Sequence, residues 1–487
     1  MSKLSRQAGL LTAADFFRFF LKSLIGIALA RLITPGELGT YRQLFLIYTT
    51  FSTLLMLGIP QSLLYFLPKA PDEKSQKALI ARTLNIVSLL ALLFALAMIL
   101  FRHEVAFRFA NPQIDKLLLL FAVYPVFMLI TQLYSSVMLG LKQTARAAKF
   151  MLFAIGCDFF LILGTALFTR NLYSIVVAVI ISAFLQWIYA QVQLRKYHAL
   201  FDGSIYSGLK EQLGYAIPLG LASIIGMLSM QLDKFMISGF FTPEQFAVFS
   251  IGAMELPLVG ILSNSVNSVL LPHLSSSDPR AMSELYCGAV RKNTLIIFPL
   301  TALFFIFAEP MMIFLYGQIY AEAAVYFRIY LLILPLRIAT YGILFQACGK
   351  TKLIMVISVI TLLSNAVLNF FMIRAWGMQG AAYATVTVTW LSVLLYLLLM
   401  HQSLKLKLSA LFPIGKIVRT ALVTIISGAL VYALFTVLSS TLLQIVLGSG
   451  LFMLGYIFLG RLGGVILDCD LAFIRSIIAD LIRLRKR

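Results

Sequence analysis

Long apolar runs, separated by short polar stretches, recur along the whole chain. A helix needs about 20 predominantly apolar residues to cross a bilayer. Fourteen runs reach roughly that length, so we predict an all-α polytopic membrane protein with about fourteen transmembrane helices. The predicted spans are 10–33, 41–67, 79–101, 116–140, 148–169, 171–194, 211–238, 245–272, 290–308, 323–348, 353–374, 379–400, 416–438 and 441–467.

The loops between these spans carry unequal charge on alternating sides. If the N-terminus lies in the cytoplasm, the inside segments hold 27 of the 39 Lys and Arg residues and the outside segments hold five. Such an excess marks cytoplasmic loops. The asymmetry predicts a multi-pass protein of the bacterial inner (cytoplasmic) membrane with both termini in the cytoplasm. All loops are short, which leaves no room for a soluble catalytic domain, so we expect no enzyme.

The composition is typical of a membrane protein and excludes several other classes of protein. Of the 487 residues, 61% are hydrophobic and only 12% are charged, whereas soluble domains carry about 25% charged residues. The loop asymmetry accounts for the formal net charge of +20. No basic stretch is interleaved with aromatic residues in a soluble module, so we exclude nucleic-acid binding. The four cysteines stand far apart, which predicts no metal site, redox site or cofactor.

An internal repeat divides the chain. Thr34-Pro35-Gly36-Glu37 after span 1 returns as Thr242-Pro243-Glu244-Gln245 after span 7. Two further matches, after spans 2 and 4, recur at similar offsets, and the three offsets are 208, 204 and 207 residues. Six spans separate equivalent positions, so both halves have the same orientation in the membrane. We predict an N-terminal six-helix lobe at 1–200, a C-terminal six-helix lobe at 201–410, and two additional helices with a basic cytoplasmic tail at 411–487.

The first span carries three charges on one face. Asp15, Arg18 and Lys22 fall within roughly 60° of a helical wheel. A charge near the centre of a lipid-facing helix costs about 2.5–3.5 kcal/mol, so three cost about 8–10 kcal/mol. We therefore expect this face to meet other protein or a water-filled cavity. Asp15 is either part of the site or only a salt-bridge partner of the two cations.

Other ionisable residues also lie at membrane depth. We predict that the basic ones line a cavity that binds a pyrophosphate or a glycan, because Arg binds phosphate oxygens in bidentate fashion and Lys acts as a point charge. Arg31 and Arg42 flank an outer loop, and the alternative for them is snorkelling to the interface. The predicted binding residues are Arg18, Lys22, Arg31, Arg42, Lys234, Arg328 and Arg337; the predicted coupling or salt-bridge residues are Asp15, Asp158, Asp233 and Glu255, and Glu309 lies near the outer edge.

Polar residues without charge stand out in spans 11 and 12. Asn365 and Asn369 share one helical face, and Thr385 follows in the next span. Amide, hydroxyl and carboxylate oxygens suit a small cation. The alternative is that these side chains form hydrogen bonds between helices.

A family resemblance is carried by two segments. ARLITPGELGTYRQLFLIYTTF at 30–51 resembles the first-loop signature of bacterial polysaccharide-biosynthesis flippases, and QLDKFMISGFFTPEQFAVFSIG at 231–252 resembles their seventh span and the loop after it. This family handles O-antigen and capsule repeat units and belongs to the multidrug, oligosaccharidyl-lipid and polysaccharide exporter superfamily.

The resemblance implies an activity and partners. Members of the family turn undecaprenyl-pyrophosphate-linked oligosaccharides from the cytoplasmic to the periplasmic leaflet by alternating access, and a polysaccharide polymerase is an expected partner. A sodium site in related lipid II flippases implies coupling to a sodium or proton gradient here, with Asp233, Asn365, Asn369 and Thr385 as candidate ligands. The chain departs from that relative at Asn369, where the relative has an acid.

Three other functions are weighed against flipping. A cation-coupled multidrug exporter of the same fold needs an acidic or aromatic cavity, and the basic excess within the spans argues against it. A membrane glycosyltransferase or polymerase needs a catalytic residue on a sizeable loop, and the short loops of this chain argue against both. A scaffold without transport would not need Arg18 and Lys22 at mid-membrane depth.

Overall fold

The computed structural model is helical throughout the residues that it describes. These are residues 3–197, 208–254, 256, 259–260, 270–271, 273–274, 278–404, 407–435 and 441–467. No β-strand occurs among them. The chain forms two compact units, Met1–Ser250 and Ile251–Arg487.

The first unit contains the N-terminal helices and also the residues of predicted span 7. Its α-helices are α1 (Lys3–Leu32), α2 (Pro35–Met56), α3 (Ile59–Phe66), α4 (Glu73–Leu100), α5 (Arg102–Arg108), α6 (Pro112–Phe121), α7 (Val123–Gly140), α8 (Thr144–Asp158), α9 (Gly164–Thr169), α10 (Leu172–Leu194), α11 (Leu209–Phe240) and α12 (Pro243–Gly252), which ends just beyond the unit boundary. A short π-helix, Phe159–Leu163, joins α8 to α9.

The second unit holds the remaining helices. They are α13 (Pro279–Ile306), α14 (Ala308–Tyr316), α15 (Ala323–Leu331), α16 (Gly342–Ala347), α17 (Thr351–Leu404), α18 (Leu408–Leu411), α19 (Ile414–Phe435) and α20 (Thr441–Leu462). A 3₁₀-helix, Leu334–Ile338, lies between α15 and α16.

The predicted membrane fold is confirmed. Within the described part of the chain, ten helices are long and apolar enough to cross a membrane, and the bent pair α2–α3 makes eleven. The helix α17 covers predicted spans 11 and 12, which meet at a kink where Trp376 and Gly377 leave helical geometry. Predicted span 1 is α1, whose charges make it a poor lipid-facing span. Predicted span 8 begins as α12 and continues into residues outside the described part.

The predicted lobe boundaries at 200 and 410 stay predictions. The compact units divide the chain at residue 250 instead, because α11 packs against α2 and α3. The predicted additional pair, α19 and α20, packs within the second unit, where Phe307, Val431 and Phe452 form a buried cluster. Gly448 lets the Phe307 ring approach α20, since a Cβ there would lie 2.6 Å from its Cζ.

The repeated Thr-Pro motif begins two helices of the first unit. Thr34 caps α2: its Oγ1 accepts a hydrogen bond from the Glu37 backbone, and the Glu37 carboxylate accepts one from the Thr34 backbone. Thr242 and Gln245 make the same reciprocal pair at α12. Such capping boxes satisfy backbone N–H groups that have no partner within the helix. The repeat is therefore explained as a helix-start signal.

Two glycines bring α2, α3 and α11 into close contact. Span 2 bends by 45° between α2 and α3, where Gly58 adopts a φ of +74°. A Cβ on Gly220 of α11 would lie 2.2 Å from the Leu57 carbonyl carbon. No larger residue fits there without moving backbone, so the bend and the crossing depend on glycine.

Candidate functional site

The charged face of α1 lies at its N-terminal half. The Arg18 guanidinium forms an ion pair with Asp15 at 2.9 Å, and both side chains are about half exposed. Further along, α1 packs against α8 and the π-helix. Arg31 lies exposed in the last turn of α1. Asp15 thus contacts Arg18 directly.

Asp158 ends α8 and lies at the start of the π-helix. It accepts hydrogen bonds from Ser182 Oγ at 2.6 Å and from Gln186 Nε2 at 2.9 Å, both on α10. The Lys22 ammonium of α1 lies within electrostatic reach of this half-buried carboxylate. The structure therefore brings together two predicted site residues from helices that are far apart in sequence. We call Lys22, Asp158, Ser182 and Gln186 the Asp158 cluster.

The sequence prediction missed Ser182 and Gln186. They stand four residues apart on one face of an otherwise apolar span, and this spacing was the available signal. A π-helix at this point is also notable, because π-helical turns are frequent at functional sites.

Aromatic side chains lie beside the Asp158 cluster. Tyr41 and Tyr124 are both within electrostatic reach of the Asp158 carboxylate. Tyr124 stacks on Phe121 at 4.6 Å and meets the Tyr48 ring edge-on at 4.8 Å. Gln132 donates a hydrogen bond to the Tyr48 hydroxyl at 2.7 Å. The Asp158 carboxylate therefore lies near a group of aromatic rings that pack against one another.

A second polar network joins α2, α6 and α11. The buried Asn111 amide donates to Thr40 Oγ1 at 2.9 Å and to Gln43 Oε1 at 2.7 Å. Gln43 in turn donates to Ser238 Oγ at 2.8 Å. Arg42, which precedes Gln43 in α2, donates to Ser250 Oγ at 2.8 Å. This network fixes the helices around the predicted site residue Arg42.

Asp233 and Lys234 of α11 point to different partners. Asp233 is buried, and its carboxylate accepts a hydrogen bond from the Lys234 backbone N–H at 2.7 Å. The Lys234 ammonium lies 3.3 Å from Gln231 Oε1. The two side chains therefore have separate roles.

The second unit holds the other predicted cations. Arg328 lies 3.8 Å from the Glu309 carboxylate and donates to the Phe305 carbonyl at 3.3 Å. Arg337 belongs to the 3₁₀-helix and lines a cavity of about 370 Å³. Glu255 lies outside the described residues.

The predicted cation ligands are divided between the units. Asp233 belongs to the first unit, and Asn365, Asn369 and Thr385 belong to the second. Asn365 and Asn369 are both buried, and Asn369 Nδ2 donates to the Asn365 carbonyl at 3.0 Å. No group of three or more His, Cys, Asp or Glu residues suited to a metal occurs in the described part of the chain.

The sequence matches a protein family over much of its length. The model of the family described as polysaccharide biosynthesis protein matches residues 28–325. The chain belongs to this polysaccharide biosynthesis family. The predicted resemblance is thereby confirmed.

Two curated relatives are similar in sequence. A probable lipid II flippase MurJ from Synechocystis sp. is 27% identical over 273 residues, which is 50% of this chain and 49% of the relative. The match thus spans about half the length of that protein. The capsular polysaccharide biosynthesis protein CapF from Staphylococcus aureus is 24% identical over 403 residues, which is 77% of this chain and 93% of the relative.

Two solved structures share the fold. The inward closed conformation of lipid II flippase MurJ superposes with a TM-score of 0.76 at 17% identity, covering 93% of this chain and 99% of that chain. An inward-facing multidrug resistance MATE transporter gives a TM-score of 0.66 at 14% identity, covering 80% and 94%. The chain therefore has the fold of these two transporters. Its family together with this fold bears out the expectation that it is no enzyme.

Proposed function

We propose that the protein flips polyprenyl-pyrophosphate-linked oligosaccharides across the bacterial inner membrane. The observation that carries this proposal is a cation, Lys22, within electrostatic reach of the Asp158 carboxylate in a chain of a polysaccharide biosynthesis family. One relative is named a probable lipid II flippase and the other is named for capsular polysaccharide biosynthesis. These two descriptions support a lipid-linked sugar as the substrate.

The Asp158 cluster provides a chemical basis for reversible binding. A pyrophosphate is a compact polyanion, and the Lys22 ammonium and Arg18 guanidinium offer it charge-assisted hydrogen bonds. Asp158 is held by Ser182 and Gln186, so it stays in place as the anion near Lys22 when the substrate leaves. The internal counter-ion lowers the cost of an empty site and competes with the pyrophosphate, which favours release.

Ion coupling is the second part of the proposal. Asn365 and Asn369 are buried, and Asn369 Oδ1 has no hydrogen-bond donor within the described part of the chain. A buried oxygen without a donor suits a small cation, and this supports sodium binding by Asn365, Asn369 and Thr385 of the second unit. A proton gradient is the alternative driving force.

The orientation and the setting also belong to the proposal. Both termini lie in the cytoplasm, as the loop charges favour, and the glycan passes to a polysaccharide polymerase on the periplasmic side. A fusion of alkaline phosphatase to the C-terminus tests the orientation: it is inactive if the terminus is cytoplasmic and active if the number of spans is odd.

A multidrug exporter is the second candidate function. The MATE fold and the half-buried Asp158 carboxylate favour it, since a cationic drug needs an anionic contact. Efflux of a cationic dye from cells that overproduce the protein decides between the two functions. The flippase proposal predicts no efflux above that of cells without the protein.

The test in cells uses single substitutions. Arg18→Ala and Lys22→Ala are each expected to abolish surface glycan while the amount of protein in the membrane stays unchanged. Lys77→Ala is the matched control, because Lys77 makes an exposed pair with Glu73 at 3.1 Å on α4. Normal glycan display by a well-produced double variant would contradict the proposal.

A further inference from the structure

The cavity beside Arg337 arises from a break in a membrane span. Between the end of α15 and the start of α16, the chain forms the 3₁₀-helix Leu334–Ile338, and Ala339 is extended with φ −130° and ψ 145°. Irregular backbone at membrane depth is tolerated where it is buried in protein or lines an aqueous space. Here it lines the cavity of about 370 Å³, which lies wholly within the second unit.

The side chains around the cavity supply both hydrogen-bond donors and acceptors. Thr389 and Ser392 of α17 already donate their hydroxyl hydrogens to helix carbonyls, at 2.7 and 2.8 Å. Their remaining lone pairs therefore act as acceptors towards a ligand. Arg337 and the tyrosine hydroxyls supply the donors. Each hydroxyl of a sugar needs such a mixture, because it donates one hydrogen bond and accepts others.

Aromatic faces form another part of the wall. Tyr330, Tyr341 and Tyr396 line the cavity. The Tyr341 ring lies nearly parallel to those of Tyr396 and Phe412, with centroids 6.2 Å apart in both pairs. This row holds the Tyr341 ring in a fixed plane. The face of an aromatic ring carries partial negative charge and attracts the C–H groups on one face of a pyranose.

The volume of the cavity and the one cation among its described lining residues restrict the class of ligand further. The volume lies near the lower end of the range of about 300–1,000 Å³ that ligand pockets occupy, so the cavity accepts one sugar ring and not a whole repeat unit. Arg337 is the cation of the lining, and a guanidinium binds a carboxylate in bidentate fashion.

We propose that this cavity is a subsite for one acidic sugar ring, such as a hexuronate, within the transported glycan. The proposal rests on the proposed function for the source of that ring. The ring stacks on tyrosine, its carboxylate pairs with Arg337, and its hydroxyls bond to Thr389 and Ser392. The lipid pyrophosphate binds elsewhere, at the cations of α1.

The test is saturation-transfer difference NMR on the full chain in lipid nanodiscs, with D-glucuronate as the probe. D-glucose serves as the neutral probe and inorganic pyrophosphate as the other source of negative charge. We expect glucuronate to bind about tenfold more tightly than glucose, the ratio that one charge-assisted hydrogen bond gives. We also expect the ring hydrogens of one face to receive the strongest saturation.

Substitutions in the lining test whether glucuronate binds in this cavity. Arg337→Ala and Tyr341→Ala are each expected to weaken glucuronate binding about tenfold. The controls are Arg374→Ala, which removes an arginine stacked on Phe370 at 3.9 Å, and Tyr383→Ala, which removes a tyrosine packed against Trp376. Both lie on α17 outside the cavity lining and should bind glucuronate normally. Elution from a sizing column shows whether each variant is folded.

Three results would overturn the inference. The first is absence of glucuronate binding to the wild-type protein. The second is equal binding by the wild type and the folded cavity variants. The third is displacement of glucuronate by equimolar pyrophosphate in a manner that depends on Arg337, which would assign the cavity to phosphate. If glucuronate binds as expected but lipid-linked glycan is not flipped, the proposed function fails and the subsite stands.

Discussion

Two regions of the molecule differ in how closely their helices pack: the contacts of α2 in the first unit and the interrupted span 10 in the second. In the first unit, α2 and α12 approach so closely that a Cβ on Gly39 would lie 1.8 Å from the Pro243 carbonyl oxygen, and buried amides link α2 to α11. In the second unit, span 10 is interrupted and leaves a cavity lined by Arg337. Glycine and hydrogen bonds close the contact of α2 with α11, whereas the break in span 10 leaves an open polar space.

This difference in packing predicts which amino-acid substitutions the protein tolerates. Interiors packed at crystal-like density respond to a single added methyl group, whereas a side chain that faces a cavity has room to change. We therefore expect substitutions at the α2–α11 contact to lower stability and substitutions at the cavity to alter binding alone.

The largest effect on stability is expected at the glycine crossing. Gly220→Ala places a methyl group 2.2 Å from the Leu57 carbonyl carbon, and overpacking of this kind costs about 1–3 kcal/mol. Gly226→Ala, on the same helix, is the control because nothing lies within 4 Å of its added Cβ. Thermal unfolding in detergent should show a lower midpoint for the first variant only. Equal midpoints would show that the crossing is not tight.

The next effect is expected in the Asn111 network. Asn111→Ala leaves the buried Gln43 and Thr40 side chains without their donor, and an unsatisfied buried polar group costs about 1–3 kcal/mol. Asn171→Ala is the control, since Asn171 caps α10 near its exposed start. The midpoint of thermal unfolding should fall further for Asn111→Ala than for the control; the reverse order would contradict the role of the network.

A smaller effect, on pyrophosphate binding, is expected at Asp158, and its direction tests whether this carboxylate competes with the ligand. Asp158→Asn removes the negative charge near Lys22 but keeps an oxygen for Ser182. Pyrophosphate binding by isothermal titration calorimetry should become about fivefold tighter, which corresponds to about 1 kcal/mol, whereas Lys22→Ala should weaken it. Asp115→Asn is the control because Asp115 pairs with His103 at 2.9 Å, away from Lys22. Weaker pyrophosphate binding by Asp158→Asn would show that Asp158 does not compete with the pyrophosphate as a counter-ion.

The smallest effect on stability is expected at the cavity. Thr389→Val keeps the side-chain shape and loses one hydrogen bond to the helix backbone. The unfolding midpoint should correspond to a change within about 0.5 kcal/mol. A loss as large as that of Gly220→Ala would show that the cavity wall is as tightly packed as the first unit.

The helices were predictable because the apolar runs that indicate them are local features of the sequence. The apolar runs within the described residues lie on helices, although α13 begins at Pro279, well before the predicted start of span 9 at residue 290. The kink at Trp376 and Gly377 falls in the predicted gap between spans 11 and 12. The break in span 10 was not predictable, since a single proline, Pro335, does not specify a 3₁₀-helix over Leu334–Ile338.

The candidate site was predictable in its residue types but not in its contacts. Lys22 and Asp158 were identified from their depth in apolar runs. Their proximity depends on the packing of α1 against α8, which no local pattern encodes. The cavity at Arg337 likewise combines residues of α17 with the interrupted span, and Thr389 lies 52 positions after Arg337.

Flipping by the purified protein tests the central claim most directly. The chain is reconstituted in liposomes with a polyprenyl-pyrophosphate-linked oligosaccharide, and a membrane-impermeant glycosidase reports the glycan that reaches the outer leaflet. We predict that the wild type and Lys77→Ala expose the glycan at equal rates and that Lys22→Ala does so at least about tenfold more slowly, as the loss of a charge-assisted contact requires. Equal rates for Lys22→Ala and the wild type, or no flipping by the wild type, would contradict the account.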